Sequence, residues 1–162
     1  LTEIKTRLAN ENDADEIVRL AYLMWSDFGF PEVPNDWEKS FHQFFKHFVD
    51  DPNFRILVCD NPDKQDQLTA MGIGIIYQVT PAFWLPSGKM GYLQWFSTDT
   101  EWRGRGLASQ ILNELIEWLE ESGVTRIQLH SSKFGESLYR KAGFGDTQFP
   151  NLWWQKPGTT ID

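Results

Sequence analysis

The sequence predicts an α/β fold in a single domain over residues 1–162. Three observations carry that prediction. Strand-like and helical segments interleave along the chain. One strand runs through a Gly-rich turn directly into the best amphipathic helix of the sequence. The 162 residues, 41% hydrophobic and 23% charged, suit one domain with a sizeable core and an ordinary water-facing surface.

Thr2 to Leu8 alternates imperfectly and reads as a first strand. Asn12 or Asp13 is placed to cap a following helix, with Glu16 completing a capping-box-like arrangement. Ile17, Leu20, Ala21, Met24 and Trp25 recur at helical spacing and form its apolar stripe. Ser26 to Asn35 holds Gly29, Pro31 and Pro34 and reads as a loop. Asp36 then caps a helix that carries Trp37, Phe41, Phe44, Phe45 and Phe48, and Asp50-Asp51-Pro52-Asn53 ends it. Phe54 to Asp60 and Leu68 to Val79 read as strands joined by a polar turn. Gly72 and Gly74 interrupt the second of these and mark bulges or close backbone approach. Thr80 to Lys89, with Pro81, Pro86 and Gly88, is a loop. Met90 to Thr98 is the strand that leads into the Gly-rich turn. Leu107, Ile111, Leu112, Leu115, Ile116 and Leu119 then line one helical face. Gly123 stops that helix, and Thr125 to His130 is a strand. Ser131 or Ser132 caps a helix over about Lys133 to Ala142, and Gly143 stops it with Phe144 packing back. Gln148 to Gln155 reads as a last strand, irregular at Pro150, and residues 156–162 form a tail.

The chemically informative stretch is Trp102-Arg103-Gly104-Arg105-Gly106-Leu107-Ala108. Two glycines allow a tight turn and close approach of a ligand to the backbone. The first amides of the helix have no partner inside it and carry partial positive charge, which suits a phosphate. Leu107-Ala108 stand where a P-loop needs Lys followed by Ser or Thr. Ser109 stands where a dinucleotide fingerprint needs its third Gly or Ala, and no acidic residue ends a strand about 20 positions on. What matches instead is Arg-x-x-Gly-x-Ala, read as Arg103, Gly106 and Ala108. Downstream comes Ser137-Leu138-Tyr139-Arg140-Lys141-Ala142-Gly143-Phe144. In that order and spacing, the two stretches resemble the paired signatures of the GCN5-related N-acetyltransferases, the GNAT superfamily, from about residue 91 to 156.

The resemblance implies a central mixed, mostly antiparallel, strongly twisted sheet of about six to seven strands flanked by about four helices. It implies an acyltransferase that moves an acetyl group from acetyl-CoA to a primary amine of a small molecule or peptide, by direct attack in a ternary complex. A non-catalytic acyl-CoA-binding regulatory module on the same fold is the alternative. By the same resemblance, the pantetheine arm of the co-substrate pairs with Phe96, Ser97 and Thr98. Backbone amides from Arg103 through Gly104, Arg105, Gly106 and Leu107 to Ala108 hold its diphosphate, and Ser109 adds a hydroxyl. Tyr139 takes the position of the general acid for the leaving thiolate. Ser132 stands near a position where the family often has Asn. Arg103, Arg105, Arg140 and Lys141 are candidates for the ribose phosphate, with plain solvation as the equal alternative.

The general base is unassigned: the strand before the turn offers Tyr92 and Gln94 rather than a carboxylate, Asp99 and Glu101 lie close by, and His130 ends the neighbouring strand, each with a surface or capping role as the alternative. Trp25, Phe28, Phe30 and Phe45 are candidates for lining an acceptor pocket, with core packing as their other role. Loops 26–35 and 80–89 are expected to shape it.

Net charge, 15 − 23 = −8, argues against nucleic acid as a partner. It is compatible with a cationic amine drawn in by the field. The single Cys59 excludes an internal disulfide and a four-Cys metal site, and three scattered histidines give no metal spacing, so no metal is expected. No apolar run approaches about 18 residues and no signal peptide is visible, so no membrane partner is expected and the cytoplasm is the default location. The oligomeric state is open, with a homodimer as one assembly the resemblance allows.

Overall fold

The computed structural model describes residues 3–30 and 32–159. Five strands, β1 (Thr6–Leu8), β2 (Phe54–Asp60), β3 (Leu68–Gln78), β4 (Lys89–Thr98) and β5 (Ile127–Leu129), lie side by side in the order of the sequence. β1 to β4 pair antiparallel and β4 pairs parallel with β5, so the sheet is mixed. Four helices, α1 (Ala14–Asp27), α2 (Trp37–Phe48), α3 (Leu107–Glu121) and α4 (Glu136–Lys141), complete the architecture.

Strand alternation sends successive side chains into two hydrophobic layers. Ile56, Val58, Met71 and Ile73 face one layer with Ile17, Leu20 and Ala21 of α1 and Phe41 and Phe45 of α2. Leu57, Cys59, Ala70 and Leu93 face the other, against Ile111, Leu112, Leu115 and Leu119 of α3. Cys59 is sealed in that second layer, and burial pushes its thiol up to about 12. Gly74 lets α3 approach β3, since a Cβ there would lie 2.9 Å from the Trp118 ring.

Among the described residues the sheet has five strands rather than the expected six to seven. The strand expected over Gln148–Gln155 does not form: Phe149, Leu152, Trp153 and Trp154 are 74–91% exposed. Pro150 has no N–H to give a ladder, and β5, the strand at that edge, is only three residues long. The first strand is shorter than expected, beginning at Thr6, and Thr2 lies outside the described residues, as do Pro31 and the end of the tail.

Two helix starts also differ. Asn10, not Asn12 or Asp13, supplies the first cap. Its side chain accepts the Asn12 N–H, Asp13 completes the box, and a 3-10 turn over Glu11–Asp13 precedes α1. Glu16 instead accepts the Leu68 N–H at 2.9 Å and pairs with Arg19. α4 begins at Glu136 because Ser132 caps a separate turn: its Oγ accepts the Gly135 N–H at 3.1 Å. Asp36 stands at the start of α2 but makes no side-chain cap bond. Among the described residues, no helix is long and apolar enough to cross a membrane.

Candidate active site

β4 is where the sheet opens. It pairs with β5 only through Gly91–Ile127, Tyr92–Gln128 and Leu93–Leu129. Beyond Leu93 it runs on to Thr98 while β5 stops, and no described strand lies on that side. At the same place its pairing with β3 slips, so that Met71 faces Ser97 but Ile73 faces Gln94. One extra residue on β4 makes a β-bulge, and a bulged strand bends. Trp95 takes a left-handed φ of 56° there. Its ring joins the α1–α2 layer, 5.3 Å from Trp25, while Phe96 packs toward α3.

The gap beside the bulge is a cavity of about 750 Å³. Phe96, Ser97 and Thr98 of β4 line it, as do Arg103, Gly104, Gly106, Leu107, Ala108 and Ser109 of the turn and α3, together with Ser132 and Tyr139. Arg105, expected with its neighbours at the diphosphate, does not line it. Its guanidinium lies 4.3 Å from the Trp102 ring centre and donates to the Glu101 carbonyl.

The turn is built by conformation. Thr100–Trp102 forms a 3-10 turn whose cap, Asp99, accepts the Glu101 N–H. Gly104 and Gly106 then take φ of 73° and 82°. A Cβ at either would meet nothing within 4 Å, so the left-handed backbone, not crowding, demands glycine. Gly106 starts α3 with no side-chain cap, and the Gln110 N–H closes the first turn onto its carbonyl at 3.0 Å. The amides of Leu107, Ala108 and Ser109 thus have no partner in the helix. An anion held there gains about 0.3–1 kcal/mol from the dipole, and up to about 2 kcal/mol where partly buried.

Several side chains are already engaged. Arg103 donates from Nε to the Thr98 carbonyl at 3.1 Å and from Nη2 to Asp27 at 2.5 Å, tying the turn to the end of α1. Ser97 donates its hydroxyl to the Leu20 carbonyl at 2.8 Å, which pins α1 to β4. Arg140 is bound to Glu136 and Asp146, and neither it nor the exposed Lys141 reaches the cavity.

Tyr139 is 9% exposed. Its ring meets Phe96 edge-on at 5.7 Å and Phe144 at 6.1 Å. Gly135 makes space for it, since a Cβ there would lie 2.9 Å from Tyr139 Cε2. Burial pushes the phenol up to about 12, well above the free side chain's value of about 10. The group is therefore neutral at pH 7. Because the folded state favours the neutral form, its contribution to stability is present below pH of about 10 and is lost as pH rises through about 12. Subtracting the alkaline ultraviolet titration of Tyr139→Phe from that of the wild type is expected to leave one phenolate with a midpoint near 12. A midpoint near 10 would mean the ring is open to water.

Of the residues considered as a base, Asp99 pairs with Arg19 at 2.7 Å and Glu101 lies 3.7 Å from Lys64, both away from the cavity. His130 lines it, as do Tyr92 and Gln94 of β4, and the Tyr92 hydroxyl lies 3.1 Å from His130 Nδ1. Trp25 and Phe28 line the end nearest α1, whereas Phe45, 1% exposed and stacked on Phe41, is core. Phe30 is not in the wall, and loop 80–89 contributes nothing to it. Met24, Trp95 and Phe134 belong to the wall and were not expected there. Their sequence context marks them only as apolar. Among the described residues no cluster of His, Cys, Asp and Glu is placed to hold a metal.

The profile described as the Acetyltransferase (GNAT) family matches residues 17–144, more than half of the chain. No curated protein matches the sequence significantly. Among solved structures, a predicted acetyltransferase from Clostridium acetobutylicum with acetyl-CoA is 24% identical, with a TM-score of 0.79 over 93% of this chain and 96% of that one. A GCN5-related N-acetyltransferase from Ralstonia eutropha is 17% identical, with a TM-score of 0.78 over 94% and 99%. Glucosamine-6-phosphate N-acetyltransferase from Arabidopsis thaliana is 17% identical, with a TM-score of 0.75 over 96% and 100%. At these identities the likeness is one of fold.

Proposed function

This chain belongs to the acetyltransferase (GNAT) family, and from that premise we propose that residues 1–162 act as one domain that transfers an acetyl group from acetyl-CoA to a primary amine. The observation that carries the reading is the continuous cavity shared by the open edge of β4, the left-handed turn before α3 and Tyr139. The acetyl-CoA in the Clostridium structure supports the choice of donor.

Each wall has a task in this reading. The unpaired α3 amides receive the diphosphate. The edge of β4 over Phe96–Thr98 has no β5 beside it, so its main chain is free to pair with an extended amide-bearing arm. A main-chain N–H aimed at the thioester oxygen stabilises the negative charge that develops as nitrogen attacks. Tyr139 enters as the neutral phenol and gives its proton to the departing sulfur. Holding both reactants in one groove contributes an orientation term of ~7 kcal/mol or more in favourable cases.

Calorimetry with acetyl-CoA, with ATP and NAD as competitors, combined with thiol release in an amine screen, tests the reading. Selective acetyl-CoA binding with amine-dependent thiol release is expected. Equal binding of ATP or NAD would reject it. Gly106→Ala is a sharper probe, because Ala in a left-handed conformation costs about 1–2 kcal/mol and relief of that strain re-aims the first α3 amides. Acetyl-CoA affinity is expected to fall about tenfold, with the helix content of the circular dichroism spectrum unchanged. Unaltered affinity would place the diphosphate elsewhere.

A further inference from the structure

A second, open cavity of about 580 Å³ lies on the sheet face occupied by Tyr77, Tyr92 and Gln128, with the exposed Leu152 and Trp153 along its rim. That volume is in the range of small-molecule sites. Tyr92 and His130 line both cavities, so the pair stands between them. None of the second cavity's wall residues carries a carboxylate, an ammonium or a guanidinium.

We infer that the acceptor enters through this second cavity, that it is a monoamine with an apolar or aromatic body, and that it delivers its proton to His130. The inference rests on the acetyltransferase reading and deepens it. A wall of aromatic, aliphatic and amide groups matches an apolar body. It offers nothing to the second and third charges of a polyamine, which are costly to desolvate unpaired. The charged groups of the first cavity, Asp27 and Arg103, already neutralise each other.

His130 has the position and the chemistry for the proton. An amine near neutral pH arrives as an ammonium and has no lone pair to attack with. Histidine is the side chain whose free form changes charge between pH 5 and 8. The Tyr92 oxygen and His130 Nδ1 lie 3.1 Å apart; in the tautomer this role requires, Nδ1–H donates to that oxygen and Nε2 is the acceptor. The Trp153 ring lies 5.7 Å from the imidazole, tilted 50° to it. The titratable or charged groups around His130 in the two cavities are Tyr92 from β4, Tyr77 from β3, Tyr139 from α4 and the Asp27–Arg103 pair at the α1 end.

The step balances as follows. Nε2 takes one proton from the ammonium and later yields it to water. The freed lone pair forms the C–N bond as the thioester π pair moves to oxygen. That pair returns, the C–S bond breaks, and sulfur leaves with its electrons. Tyr139 protonates the sulfur, and the remaining excess proton on nitrogen restores the phenol.

The test follows thiol release from acetyl-CoA between pH 5.5 and 9.5 with 2-phenylethylamine and with spermidine, in the wild type, His130→Gln and Tyr92→Phe, beside acetyl-CoA calorimetry. The wild type is expected to prefer 2-phenylethylamine at least tenfold in kcat/KM. In His130→Gln, kcat at pH 7 is expected to fall about 10²–10³-fold, the acid limb of the profile to vanish, acetyl-CoA affinity to hold and added imidazole to restore part of the rate. Tyr92, a positioning residue, is expected on replacement to lower kcat several-fold with the limb retained. An unchanged rate and limb in His130→Gln, a preference for spermidine, or turnover of neither amine with acetyl-CoA bound would each overturn this inference alone. Absence of acetyl-CoA binding would overturn the acetyltransferase reading beneath it.

Discussion

Tyr139→Phe is expected to lower kcat for acetyl transfer by two to three orders of magnitude, the range of a lost general acid, with acetyl-CoA affinity held within about threefold. The substitution is unusually clean. The phenyl ring keeps its contacts with Phe96 and Phe144, and the hydroxyl has no hydrogen-bond partner among the described residues whose loss would leave a buried group orphaned. Stability is therefore expected to stay within about 0.5 kcal/mol, so a slow variant is a folded one. The energetics also explain the placement. Burial alone raises the phenol to about 12, which makes it a weak acid toward a thiolate in water. The same apolar wall raises the basicity of a thiolate formed there, and so brings donor and acceptor closer together. Full turnover in the variant would remove Tyr139 from the chemistry. A wild type that binds acetyl-CoA and releases no thiol with any amine would point to the acyl-CoA-binding module instead.

Gly72→Val should cost the fold about 3 kcal/mol, lowering Tm by about 6–12 °C for a chain of this size. Valine is the better strand former by up to about 1 kcal/mol, but packing decides the outcome. A Cβ at Gly72 would stand 2.6 Å from Ile111 Cγ2 and 2.9 Å from the Phe96 ring. Both neighbours are fixed, Ile111 in the middle of α3 and Phe96 just past the bulge. Phe96 in turn supports Tyr139, so activity is expected to fall further than the lost stability explains. Urea and thermal unfolding, together with kcat on the surviving folded fraction, measure the two effects separately. An unchanged Tm would show that α3 can ride up from the sheet at no cost.

Local rules marked most of this architecture. The α3 stripe, the helix stop at Gly143 with its φ of 97°, and the two left-handed glycines of the turn are short-range features with short-range causes. The gap in β4 is different. It depends on a register slip against β3 and on Trp95 in a left-handed conformation, which its residue type does not announce. The Tyr92–His130 pair spans 38 positions and exists only because two parallel strands run together for three residues. The expected last strand misled because its aromatic residues read as β-formers, while pairing needs a partner with free N–H and C=O groups in register. The late start of α4 follows from Ser132, which stabilises a separate turn directly ahead of the helix.

The uncovered ends of Phe149, Leu152, Trp153 and Trp154 bear on how the molecule behaves in bulk. A net charge of −8 makes copies of the chain repel one another in dilute buffer. Physiological ionic strength confines that repulsion to about 8 Å, and near the isoelectric point of about 4.8 it disappears. Colloidal stability is then governed by a strip of indole and phenyl surface. Self-association of this protein is accordingly expected to rise with salt and with acidification, the reverse of an ion-paired interface.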